Sequence, residues 1–147
     1  MKSLNTKSRN AEYTVHSHSA LNQQIARKLK HELRTPINHI IGYSELILEE
    51  TAEPDAPYIG QLRALHAYGK SLAKVVDSSF AGGENDSEQS YVIILREAIL
   101  PVLADARCSL NDLRESPLST TYKSDLEKIS EATSRLALLV QLSEEIR

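Results

Sequence analysis

One cysteine, Cys108, occurs in the 147 residues. A single thiol closes no internal disulfide and supplies no thiolate cluster, so redox and zinc chemistry fall away and a reducing compartment is implied. Tryptophan is absent and aromatics make up 5% of the chain, too few for the stacking platforms that hold single-stranded nucleic acid. Neither sign of charge dominates: 17 Lys and Arg stand against 20 Asp and Glu, a formal net charge of -3, without the basic excess of a nucleic-acid binder. No run of about 18 apolar residues occurs, and residues 1–18 hold no apolar segment of signal-peptide length. The expectation is a cytoplasmic protein that engages neither nucleic acid nor membrane. The five glycines, Gly42, Gly60, Gly69, Gly82 and Gly83, form no phosphate-cradling loop.

What is present is helical periodicity. Leu21, Ile25, Leu29, Leu33, Ile37, Ile40 and Ile47 form one stripe of a long helix ending near Glu50. The segment Thr51 to Pro57, TAEPDAP, stops it with two prolines, offers Asp55 as a cap, and places Pro57 in the tolerant first turn of the next helix. That second helix, about Tyr58 to Ser79, turns Leu62, Leu65, Leu72, Val75 and Val76 inward, with Gly69 where backbones can come close. A small, polar connector follows, then an apolar-periodic segment from Tyr91 to Glu115, the turn SPLST, and a fourth segment from Thr121 to Ile146. The fold expected is all-α, an antiparallel four-helix bundle of two helical hairpins. Its parts are a flexible tail (1–18), a first hairpin (19–80), a linker (81–90) and a second hairpin (91–147).

The hairpins can be laid over one another. Setting Pro36 on Pro101 also sets Glu32 on Glu97, Leu33 on Ala98, Ile37 on Val102, Leu48 on Leu113 and Glu50 on Glu115. With one residue dropped in the loop, Tyr58 falls on Tyr122, Leu62 on Leu126, Leu65 on Ile129, Leu72 on Leu136 and Val76 on Val140. This self-similarity suggests a duplicated unit. In that overlay Arg96, Ile99 and Leu100 take the places of His31, Arg34 and Thr35.

His31 is the candidate reactive group. It lies about 200° around the helix from Leu29 and Leu33, so its imidazole points away from the apolar stripe. Arg27, Arg34, Thr35 and Asn38 share its side, with Lys28 and Lys30 close by. An exposed neutral imidazole is nucleophilic near neutral pH, and neighbouring cations favour an incoming phosphoryl group. Pro36 removes a backbone donor and presses on the carbonyl of Glu32, so a kink is expected one turn past the histidine. His16 and His18 read as a chance pair in the tail, His39 as too far from His31 to share a metal, and His66 as a boundary histidine. Cys108 reads as a small core residue, and Tyr43, Tyr58, Tyr91 and Tyr122 as packing residues.

The string Lys30-His31-Glu32-Leu33-Arg34-Thr35-Pro36-Ile37, continued by NHIIGYSELI, resembles the H-box of the sensor histidine kinases, within their dimerisation and phosphoacceptor domain. The likeness covers roughly Leu21 to Phe80, and the second hairpin only echoes it. It implies His31 as phosphoacceptor through Nε2, Glu32 as hydrogen-bond partner and base, and Thr35 as a residue that orients water when a receiver is dephosphorylated. Kinases of this family carry an ATP-binding lobe after the second helix, where this chain has another hairpin, so no autophosphorylation from ATP is expected.

The function expected is that of a histidine-containing phosphotransfer protein, exchanging a phosphoryl group between His31 and a response-regulator receiver aspartate. Arg27, Lys30 and Arg34 would supply the electrostatics. Docking would follow the groove between the first two helices along Asn38, Ile41, Gly42 and Glu45. No cofactor or metal is expected on this chain; Mg2+ would sit in the receiver. A separate sensor kinase is a further candidate partner. Two other functions fit the same residues: a receiver phosphatase or non-transferring regulator of a sensor kinase, and the phosphoacceptor module of a split kinase. A monomeric pseudo-dimer is expected, with a homodimer through the first hairpin as the alternative.

Overall fold

The computed structural model describes residues 2–51, 56–80 and 88–145. Five helices follow in order: α1 (Lys2–Glu50), α2 (Pro57–Phe80), α3 (Glu88–Arg114), the single turn α4 (Leu118–Thr121) and α5 (Lys123–Glu145). No strand occurs among the described residues, and the molecule is an all-α bundle of two hairpins. The expected cap Asp55 and residues 81–87 of the expected linker lie outside the described residues, as do the side chains of His16, His18, Leu21 and Tyr91.

Two boundaries differ from the sequence expectation. α1 runs back to Lys2 through the stretch read as a tail; residues 2–18 contain neither Pro nor Gly, so nothing in them ends a helix begun downstream. Residues 88–90, assigned to the linker, form the first turn of α3.

α1 packs on α2 and α5, and α3 packs on the same two, which sets α1 and α3 on opposite corners. Gly69 of α2 meets Ile40 and Ile41, while Asp77, farther along α2, meets Arg34, so the two helices are antiparallel. Both hairpin turns lie at one end, where Glu50, Ala56 and Pro57 share a cleft with Ser116, Pro117 and Leu118. His31 belongs to the opposite half of the bundle.

The core is apolar apart from the small buried hydroxyls of Ser44, Ser109 and Thr133. Leu33, Ile37, Ile40 and Ile47 of α1, Leu62, Leu65 and Leu72 of α2, Leu95, Ile99 and Leu113 of α3, and Leu126 and Ile129 of α5 are fully buried. Each such side chain contributes about 1.5–3 kcal/mol by leaving water. The buried Ser44 hydroxyl donates to the carbonyls of Ile40, at 2.6 Å, and Ile41, at 3.0 Å, so it brings no unsatisfied group into the core.

Burial also fixes how the hairpins correspond. On α2 and α5 the sequence overlay holds: Leu62 and Leu126, Leu65 and Ile129, Leu72 and Leu136, Val76 and Val140 are buried pairs. On α1 and α3 it is off by one residue. Aligning the prolines sets buried Ile37 on half-buried Val102 and half-exposed Arg34 on fully buried Ile99. Burial instead pairs Leu33 with Ile99, Ile37 with Leu103, Ile40 with Ala106 and Ile47 with Leu113. One residue is about 100° of helix, which is why Pro36 is buried and Pro101 exposed. In this register the exposed Glu97, not Arg96, stands in the place of His31, and Ala98, Leu100 and Pro101 replace Glu32, Arg34 and Thr35.

Candidate functional site

α1 presents its outward crest through His31, Thr35, Asn38 and Gly42, all exposed. Their spacing of four, three and four residues keeps them on one line of a helix whose opposite face is the core stripe. Pro36, one turn past His31, is buried inside an unbroken α1. Because residue 36 has no N–H, the carbonyl of Glu32 lacks its helical donor. The Thr35 hydroxyl donates to the carbonyl of His31 at 3.3 Å, tying the peptide of His31 to the turn that follows. Arg27 and Lys28 are exposed one turn before His31.

On the α2 side of the crest, the cations expected to serve a phosphoryl group have a partner that the sequence did not identify. Arg34 donates through Nη2 to Oδ1 of Asp77, and Lys30 Nζ lies 4.0 Å from the same oxygen. Both ends are solvated, with 42% of the Arg34 side chain and 47% of Asp77 exposed, so the pair is worth no more than about 1 kcal/mol. It does set where the guanidinium points. Arg34 Nε is buried without a hydrogen-bond partner, leaving one donor of this side chain unused. Farther along, Glu45 lies 3.7 Å from His66 Nε2, beyond hydrogen-bond reach.

The α5 side is open. Glu32, Thr35, Pro36, His39 and Tyr43 of α1 face Lys128, Glu131, Ala132 and Arg135 of α5 across a groove of about 510 Å³. Lys128 Nζ sits 5.3 Å from the Tyr43 ring centre, and the His39 ring meets Tyr43 edge-on at 6.0 Å. Glu32 and Thr35, the two residues given roles beside His31, thus belong to this groove.

The expected docking residues divide. Asn38 and Gly42 stay on the crest, whereas Ile41 packs on the core and under Gly69, and Glu45 turns to His66. Cys108 is exposed, not a core residue, because the burial register of α3 turns it outward beside buried Ser109. His66 is a boundary residue, with 19% of its side chain exposed. Asp77 and Arg135 were not found from sequence: each meets the site from a distant helix, and no local spacing signals that.

Among the described residues, no group of three or more His, Cys, Asp or Glu is placed to hold a metal, and no helix is long and apolar enough to cross a membrane. The family profile of the His Kinase A (phospho-acceptor) domain matches residues 21–78, which takes in α1 from Leu21 and nearly all of α2. No curated protein and no solved structure matches the chain.

Proposed function

Because residues 21–78 are a His Kinase A (phospho-acceptor) domain, a histidine phosphoacceptor unit of two-component signalling, we propose that this chain is a phosphotransfer protein whose His31 exchanges a phosphoryl group with the aspartate of a response-regulator receiver. The observation that carries the reading is the exposure of His31 on the crest of α1, with Glu32 and Thr35 beside it. A buried imidazole would be closed to an incoming domain.

In the proposed reaction the neutral imidazole of His31, through Nε2, attacks phosphorus in line with the bond to the receiver's aspartate. The N–P bond forms, the P–O bond to aspartate breaks, and the aspartate leaves as a carboxylate. Glu32 accepts a hydrogen bond from the other ring nitrogen and balances the imidazolium charge that develops. Arg27, Lys30 and Arg34 offset the phosphoryl charge; Lys30 and Arg34 do so by exchanging part of their contact with Asp77. Positioning and charge stabilisation are the main contributions a protein makes to such a transfer. Mg2+ belongs to the receiver in this scheme, and the exchange takes place in the cytoplasm. Thr35 orients water for the competing hydrolysis.

The test is to mix the chain with receivers carrying labelled phosphoryl aspartate and to follow acid-labile, base-stable label. Label on the wild-type chain and none on His31→Gln is the expected result. Wild-type chain that stays unlabelled by every receiver and kinase of its host contradicts the reading.

A further inference from the structure

The cleft between the two hairpin turns belongs neither to the His31 crest nor to the seams beside it. It holds about 720 Å³, the size of a small-molecule pocket, and lies about 28 Å from His31 by the rise of α1. Its walls come from both hairpins: the end of α1 and the start of α2 on one side, the end of α3 and the α4 turn on the other.

Two tyrosines line this space. Tyr58 stands in the first turn of α2 and Tyr122 directly before α5, the same position in each hairpin, and the bundle brings both to one cleft. Each is half-buried and packs partly on the core, so its ring is held from behind. Among the described residues the two rings make no contact with each other, so stacking does not fill the gap. Pro57, Pro117 and the buried Leu118 add apolar wall.

The charge along the cleft has one sign. Glu50 and Asp112 line it and are exposed, and neither forms an ion pair among the described residues. No Lys, Arg or His among the described residues lines it; Arg114 and Lys123, close by in sequence, line a separate cleft with Ser119. An aromatic face attracts a cation through its quadrupole, and carboxylates without partners add to that attraction. An anion would be repelled, and a neutral guest would leave both carboxylates unused.

We propose that this cleft is a binding site for a small organic cation of the alkylammonium class. The charged head sits between Tyr58 and Tyr122 within reach of Glu50 and Asp112, and the carbon chain lies against Pro57, Pro117 and Leu118. The site shares no residue with the His31 crest and does not depend on the phosphotransfer reading. Because its walls belong to different hairpins, an occupied cleft ties the two together and stabilises the folded chain.

Choline and putrescine, a quaternary and a primary ammonium, are each titrated into the full chain beside an uncharged counterpart: the choline analogue with carbon in place of nitrogen, and butanediol. Binding is read from the NMR signals of Tyr58 and Tyr122 and from the midpoint of thermal unfolding. At least one cation is expected to move both signals, to raise the midpoint, and to bind about tenfold more tightly than its counterpart. Tyr58→Leu and Tyr122→Leu should each weaken it about fivefold, Tyr58→Phe should keep it, and Glu50→Gln with Asp112→Asn should weaken it about tenfold. Tyr68→Leu, at a core-packed tyrosine outside the cleft, and Glu49→Gln, at an exposed neighbour, should change nothing. Circular dichroism checks the fold, and the paired carboxylate variant, changed only at exposed positions, tests the site even where a leucine variant does not fold. No binding of either cation, equal binding of the uncharged counterparts, or an affinity indifferent to both the tyrosine and the carboxylate changes overturns the proposal.

Discussion

Gly69 sets two effects of similar size against each other. Alanine there would gain about 1 kcal/mol of helix propensity, but its Cβ would lie 2.9 Å from Ile41 Cγ1 and 3.1 Å from Ile40 Cγ2. Those carbons belong to β-branched side chains, Ile40 in the core and Ile41 packed against it, and overpacking costs about 1–3 kcal/mol. Gly69→Ala should therefore lower stability by about 1 kcal/mol in urea unfolding. Gly60→Ala, with nothing within 4 Å of the new carbon, should raise it by about 1 kcal/mol. The opposite ordering would show that α1 and α2 do not approach closely at Gly69. Asp77→Asn should cost less than about 1 kcal/mol, since both partners are solvated. Its larger effect falls on phosphohistidine: with Lys30 and Arg34 released, the His31 phosphoryl group should survive longer, which a decay time course measures. The exposure of His31 was legible in the sequence because helical phase alone fixes it. Asp77 was not, since it is 43 residues away from Arg34 and only the fold brings them together.

At the level of elements, the four long helices and their order followed from apolar spacing, with their limits set by Pro57 and the turn at Ser116 and Pro117. The alignment of α1 with α3 did not. Two prolines inside helices drew the sequence overlay onto themselves, yet core packing is decided by the stripe, and the stripe of α3 starts one residue later. Pro101 is therefore an exposed helix-interior proline with no packing of its own to lose. Proline costs about 3 kcal/mol relative to alanine inside a helix and returns somewhat under 1 kcal/mol by restricting the unfolded chain, so Pro101→Ala should stabilise by about 2 kcal/mol. A urea midpoint that does not move would mean that α3 has already relaxed around the ring. Cys108, read from its residue type as a small core residue, is found at the surface because the stripe of α3 buries Ser109 beside it instead.

For the whole molecule, α3 and α5 cover the apolar faces that α1 and α2 would otherwise expose to water, so a second copy is not required to complete the core. Light scattering should report 16.4 kDa at micromolar concentration; twice that mass would place the first hairpin in a homodimer. The central claim concerns one nitrogen on one crest of this bundle. Mass spectrometry of the intact chain, under conditions that preserve phosphoramidate bonds, after brief mixing with its receivers charged by a small phosphodonor, addresses it most directly. The account predicts one added phosphoryl group, mapped to His31, which disappears when fresh uncharged receiver is supplied. Phosphate mapped to His39 or His66 instead, or none on the chain from any receiver, would contradict it.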